Sequence, residues 1–209
     1  MKSPHSFIVR PIGNRRYDNI KKIGSIDFIT STSEEDHTVS NRYAEVVETP
    51  INYTGEVKKG DTLLVHHNVF KFYNDMYGKR KSGKSFFKED LFFIDPDQFF
   101  LFKRGDKWHG YDKYCFVKPG KVRDSFLKKS GTVEPLIGTL IYSNAQLKKK
   151  GLKEGDVVSY QPDSEYAFKV DGETLYRMFT NNITLKLKFQ LKYKTTNYKR
   201  RGTSCKSAY

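Results

Sequence analysis

Residues 57–65 read "VKKGDTLLV", and residues 152–160 read "LKEGDVVSY". Each string is a basic turn closed by Gly-Asp and followed at once by an apolar run. A glycine in a polar turn marks a chain reversal, and the run behind it has the length of a strand rather than a helix. The likeness extends outward in both directions. "FIVRP" (7–11) recurs as "CFVKP" (115–119), and "YAEVVE" (43–48) recurs as "IGTLIY" (137–142). Beyond the Gly-Asp block, "LFFIDPDQFFLF" (91–102) recurs as "LYRMFTNNITLKL" (175–187), with one extra residue. Blocks recurring in one order predict a duplicated β-domain. Helical periodicity is scarce elsewhere, and short runs of Val, Ile, Phe and Tyr alternate with Gly, Asn, Asp, Pro and Ser. The expected class is all-β, as small barrels.

The copies differ in what lies between the blocks. Pro11 and Ala44 are separated by 32 residues, whereas Pro119 and Gly138 are separated by 18. The first copy also has the longer excursion between Asp61 and its terminal block. Insertions on a shared scaffold fall in loops, and loops carry function. Two regions therefore stand out: about 14–41 and about 70–88.

Bulk composition narrows the classes. A chain of 209 residues suits one or two domains, and 16 Phe with 14 Tyr supply the area for a β-rich core. The formal charge of +14 suggests an anionic partner, though the lysines are scattered as on a solvated basic surface. Two cysteines, Cys115 and Cys205, are too few for a disulfide framework, which points to a reducing compartment. The opening "MKSPHSFIVRPIGNRR" has no long apolar run, and no stretch approaches the ~20 apolar residues of a membrane span. The expectation is a soluble, cytoplasmic protein that is not membrane-associated.

With these blocks in place, the chain resembles the GroES-type co-chaperonins, bacteriophage members included. "FIVRPIGNR" stands where that family opens with R-V-x-P-L-x-D-R, and "IGSIDFITSTS" (23–33) stands in place of its mobile loop. "AEVVETP" and "GTLIYSN" loosely follow G-x-V-x-x-V-G, and both Gly-Asp blocks follow V-K-x-G-D-x-V-L-F. "VDGETLYRMFTNNITLKL" is similar to the family's closing D-G-E-x-Y segment. The likeness covers roughly 7–102 and, more loosely, 114–188. It implies two tandem GroES-like β-barrels: 1–105, carrying the mobile loop (about 14–41) and a basic hairpin insertion (about 70–88), and a shorter 106–190. A basic tail, 191–209, follows and is expected to be disordered.

The resemblance also implies a function. The chain would be a co-chaperonin and no enzyme, without a cofactor of its own. It would cap a chaperonin ring, which hydrolyses the ATP, and help enclose protein clients, as a homo-oligomer in the cytoplasm of a bacterial host. Ring contact would fall to Ile26, Phe28 and Ile29, with Gly24 as hinge. Independently of the family, these residues form an apolar cluster in a polar loop that offers little area to offset its ordering entropy. Such a segment suits folding onto a groove. The competing reading is an ordinary strand whose Ile26 and Phe28 face the core. Two other functions stay open: a virion structural or assembly protein reusing the barrel, and a non-specific nucleic-acid binder.

Residues 78–85, "GKRKSGKS", spell the phosphate-binding pattern G-x-x-x-x-G-K-[ST]. A true P-loop joins a buried strand to a helix. Here "VFKFYNDMY" precedes the octet and the strand-like "FFKEDLFFID" follows it. The octet is expected to be the tip of a hairpin, presenting Lys79, Arg80, Lys81 and Lys84 to an anionic partner. His66 and His67 are adjacent and, on a strand, would point to opposite faces, which argues against a metal site. Trp108 and Tyr111 lie between the copies, either packing the junction or stacking on a base. The tail carries Lys192, Lys194, Lys199, Arg200, Arg201 and Lys206, for an acidic surface or for solubility.

Overall fold

The computed structural model describes residues 1–29, 31, 39–121 and 133–188. The expected tail, 191–209, and part of the expected mobile loop lie outside them. The described chain is mostly β-sheet. Its first part comprises β1 (Phe7–Pro11), β2 (Ile20–Ile23), β3 (Ile26–Ile29), β4 (Tyr43–Glu48), β5 (Thr62–Val65), β6 (Phe72–Asn74), β7 (Arg80–Ser82), β8 (Phe86–Lys88), β9 (Leu91–Ile94), β10 (Phe99–Arg104) and β11 (Lys107–Gly110). Its second part comprises β12 (Tyr114–Lys121), β13 (Val133–Tyr142), a short helix α1 (Ala145–Lys149), β14 (Val157–Tyr160), β15 (Tyr166–Val170), β16 (Glu173–Phe179) and β17 (Ile183–Leu187).

A seven-stranded sheet has the order β11-β10-β5-β4-β1-β9-β8, and a six-stranded sheet has the order β17-β14-β13-β12-β16-β15. Apart from β11, the two orders are the same, and each quoted block lies on the matching strand. The register matches as well. Pro11 faces Ala44 as Pro119 faces Gly138, and both first pairs carry a bulge, between Ile8 and Val9 and between Phe116 and Val117. Phe7 faces Ile94 as Cys115 faces Met178, and Val65 faces Phe99 as Tyr160 faces Ile183. Ile94 to Phe99 and Met178 to Ile183 therefore have equal spacing. The terminal blocks align without the extra residue that the sequence comparison introduced.

The sheets do not close into barrels. Among the described residues each sheet ends in two edge strands, and the other sheet lies against one of them. At the β11 end, a Cβ built on Gly110 would stand 3.0 Å from the Ser143 and Tyr114 carbonyl oxygens. At the β15 end, the Tyr43 hydroxyl donates to the Lys169 carbonyl at 3.3 Å.

Burial follows the pleat. On β4, Ala44 and Val46 are buried while Glu45 is exposed, the alternation of a strand with one face on a core. One core, around Phe7, Leu63, Phe70, Phe92 and Phe99, fills the first sheet, and another, around Cys115, Leu140, Val158 and Met178, fills the second. A third joins them, setting Leu64, Phe100 and Trp108 against Tyr114, Phe116 and Phe168. Trp108 is buried there and donates its indole N–H to Asp171 at 2.8 Å. It packs the junction and offers no face to a base.

Candidate functional site

The first insertion is a clipped arm. At its neck Tyr17 bridges Ser40, the Asp18 amide donates to the Val39 carbonyl at 2.7 Å, and the Asn41 amide donates to the Arg16 carbonyl at 3.0 Å. The buried Asn41 side chain donates to the carbonyls of Ile12 and Arg15 at 2.9 and 2.7 Å. The Arg16 guanidinium lies over Phe72, Phe86 and Phe92 at 4.1, 4.8 and 4.9 Å, so the neck is held against the second insertion. Cation–π contact of this kind contributes about 0.5–2 kcal/mol each, which suffices to orient the arm's base.

Beyond the neck, β2 and β3 form a hairpin. Ile23 pairs with Ile26 and Ile20 with Ile29 across a Gly24-Ser25 turn, and Gly24 has φ +64°. A positive φ at the first central residue fits the turns that match strand twist, and glycine reaches it without steric cost. Within "SIDFIT", residues Ile26–Ile29 form a strand, as the competing reading had it, but it faces no core. Ile23, Ile26, Phe28 and Ile29 are 62, 60, 49 and 66% exposed.

Alternation along the strands divides these residues. Ile23, Ile26 and Phe28 share one face, and Ile20, Asp27 and Ile29 share the other. The expected triplet Ile26, Phe28 and Ile29 thus does not form a single patch, because Ile29 turns away with Asp27. Ile20 and Ile23 escaped the sequence reading. Their signal was "IKKI" mirrored by "IDFI" across Gly-Ser, a hairpin pattern hidden by the two lysines.

The octet adopts no phosphate-binding geometry. It runs out of the β6–β7 turn, along β7 and through the turn that ends just before β8, and no helix starts behind it. Lys79, Arg80, Lys81 and Lys84 are exposed, as expected. The sequence did not show that the tip is built around Asp75. Its carboxylate accepts from the Tyr77 and Lys79 amides at 3.0 and 2.9 Å and pairs with Lys81 at 2.9 Å. The Lys81 ammonium, then the Lys79 amide, holds the Asp75 carboxyl below its usual range. Arg80 lies 3.7 Å from the Phe72 ring. Two of the four cations are therefore engaged within the hairpin, and the strip is a less open anion site than its spelling suggests.

His66 and His67 do not point apart. Their rings are 4.1 Å from centroid to centroid, because both residues follow β5 in a turn instead of extending it. Among the described residues no group of three or more His, Cys, Asp and Glu side chains stands where a metal could be held. Cys115 is fully buried, and burial pushes its thiol up to about 12, which leaves it protonated and unreactive at neutral pH. No described helix is long and apolar enough to cross a membrane. No protein-family model matches the chain, and the search of curated proteins finds no relative.

Proposed function

We propose that this chain is a co-chaperonin-like binding protein that docks on a chaperonin ring through the β2–β3 hairpin and reuses a GroES-like scaffold twice. The observation that carries the reading is the hairpin itself: an apolar arm held firmly at its neck and left without a core to cover its tip. A two-stranded hairpin alone is marginal in water, so an exposed one of this kind gains from a partner surface. Burying Ile23, Ile26 and Phe28 in a groove would contribute about 1.5–3 kcal/mol each, before the cost of association. One arm binds weakly on that arithmetic. Several arms on an oligomer bind strongly through effective concentration.

In this reading the chain holds no catalytic centre, and ATP hydrolysis belongs to the ring. The test is electron microscopy of the chain mixed with a bacterial chaperonin and ATP. Capped rings with the natural chain, lost in an Ile26→Ser, Phe28→Ser double variant, support it. Uncapped rings with both chains, or equal capping by both, refute it.

A further inference from the structure

A cavity of about 380 Å³ opens where the two sheets meet at the β11 end. Glu56 and Lys58 line it from the connection between β4 and β5, Arg104 from β10 and His109 from β11. The second sheet contributes Ser143, just after β13, and Lys148 of α1. The cavity therefore exists only because the two copies are joined, and β11, which has no counterpart in the second sheet, supplies part of its wall.

Positive charge dominates this lining. Lys58, Arg104 and Lys148 are set against one lining carboxylate, Glu56, among the described residues. Two nearby carboxylates are already engaged. Asp61 accepts from Arg104 Nε and Nη2 at 3.0 and 2.6 Å, and Glu154 lies between Lys107 and Lys148 at 4.0 and 3.9 Å. The Lys58 ammonium pairs with no carboxylate among the described residues, and Arg104 Nη1 has no acceptor among them. Residues 32–38 precede β4 and 122–132 follow β12, so both join the ends of those strands away from the cavity, and 189–209 contain no Asp or Glu. Two further donors border the space. The Ser143 hydroxyl is buried, and its acceptors, the carbonyls of Asn144 and Leu152, stand at 3.5 Å, beyond the usual reach of a hydroxyl. His109 stacks on Phe102 with ring centres 5.1 Å apart. Lys148 from α1, Lys107 on its own strand and Arg104 from β10 act on it against Glu154 from the turn before β14, with Lys58 and Glu56 in the same cavity. Burial first, then these cations, lowers its pKa, so at pH 7 the neutral imidazole keeps one N–H to donate.

We propose that this cavity binds a small phosphate compound through its phosphate group, held by Lys58, Arg104 and Lys148 with His109 and Ser143 as further donors. A cleft lined mostly by one sign of charge concentrates ions of the other. Guanidinium and ammonium groups are the usual holders of phosphate oxygens. A phosphate group presents three strong acceptor oxygens to these donors, where a carboxylate presents two. The volume lies in the range of small-ligand sites and exceeds what one phosphate fills, so room remains for the group that carries it.

The test is isothermal titration calorimetry of the full chain with orthophosphate and with glycerol phosphate at low salt. Saturable binding is expected. Tighter binding of glycerol phosphate assigns the site to phosphate esters, tighter binding of orthophosphate assigns it to the free ion, and either supports the phosphate site. Lys58→Gln and Lys148→Gln should each weaken binding about 10–100-fold, the range for a lost hydrogen bond to a charged group. Both lysines are exposed, so neither variant threatens the fold. Lys79→Gln and Lys84→Gln, which remove charge from the octet, should stay within about 2-fold. Sulfate keeps both charges through the neutral and mildly acid range, so its binding reports the protein's protons alone. It should tighten by up to about 10-fold from about pH 7.5 to about pH 5.5 as His109 takes up a proton, the equivalent of one pKa unit, and His109→Gln should lose this dependence. Absence of binding by either phosphate would overturn the proposal. So would binding that survives both Lys58→Gln and Lys148→Gln, or loss caused by the octet lysines instead. Acetate competing as well as phosphate, or a pH dependence unchanged in His109→Gln, would overturn it too. Ring capping by the hairpin is read separately, so failure here leaves that reading untouched.

Discussion

Asp61 and Asp156 each accept a hydrogen bond from the amide of the lysine that opens their turn and a cation from the strand paired beside them. Asp61 Oδ2 accepts from the Lys58 amide at 2.8 Å, and Asp156 Oδ2 from the Lys153 amide at 2.7 Å. The cation is Arg104 of β10 in one sheet and Lys186 of β17 in the other. The preceding glycines, Gly60 and Gly155, have φ of +86° and +92° and donate to Val46 and Leu140. The Gly-Asp pair is thus a turn lock that ties the second, third and last strands of each copy together.

The two locks differ in strength. Asp61 is buried and takes Arg104 bidentately, at 3.0 and 2.6 Å, whereas Asp156 is more exposed and takes a single lysine. Asp61→Ala leaves the turn amide and the guanidinium without their acceptor and should cost about 2–4 kcal/mol. Asp156→Ala should cost about 0.5–1.5 kcal/mol. Urea unfolding of the two variants measures both, and equal losses would contradict the asymmetry.

Gly138 stands where the first sheet has Ala44, yet it tolerates no methyl. A Cβ there would lie 2.4 Å from Val117 Cγ1 and 2.6 Å from the Lys118 carbonyl oxygen. Gly138→Ala should destabilise by about 1–3 kcal/mol, the range of an overpacked core. Chemical denaturation checks it, and a neutral or stabilising result would mean that β12 and β13 move apart freely.

Acid should weaken the fold in two windows. Burial, then Arg42 and Arg177, lowers the pKa of His66, and burial, then Lys148 and Lys107, lowers that of His109. Below about pH 6.5 the unfolded chain binds protons that the folded chain refuses, so stability present above that pH is lost on descending through it. The carboxylates act lower. Lys59 depresses Glu48, and Lys81 depresses Asp75. At Asp156 burial opposes ionisation, but the Lys153 amide and Lys186 outweigh it. Their contribution is held above about pH 4 and disappears below it. The expected result is a Tm that falls from pH 7.5 to 5.5, less steeply in His66→Gln, and falls again below pH 4. A Tm that rises on acidification to pH 5.5 would contradict it.

The scaffold was legible because its signals are local. A glycine forced to positive φ, an aspartate behind it and a short apolar run are all written within nine residues, and they are written twice. Closure was not legible. The expected barrels depend on how edge strands meet, and here Gly110 and Tyr43 bring the edges against the other sheet. The hairpin was half visible: Ile26, Phe28 and Ile29 stood out as apolar in a polar loop, but their faces required a pairing register. The packing of Phe100, Tyr114, Tyr166 and Phe179 around the Arg177 guanidinium was hidden entirely, because the rings come from β10, β12, β15 and β16. No spacing rule joins residues so far apart.

The central claim is that one face of the β2–β3 hairpin docks on a chaperonin ring, and its most direct measurement is the affinity of face-specific variants for that ring with ATP. Ile23→Ser and Phe28→Ser lie on the proposed contact face, and Ile29→Ser lies on the other. Loss of about 1.5–3 kcal/mol for each of the first two, before multiplication by valency, with a much smaller loss for Ile29→Ser, is the predicted result. Natural-chain binding that none of the three substitutions weakens would contradict it.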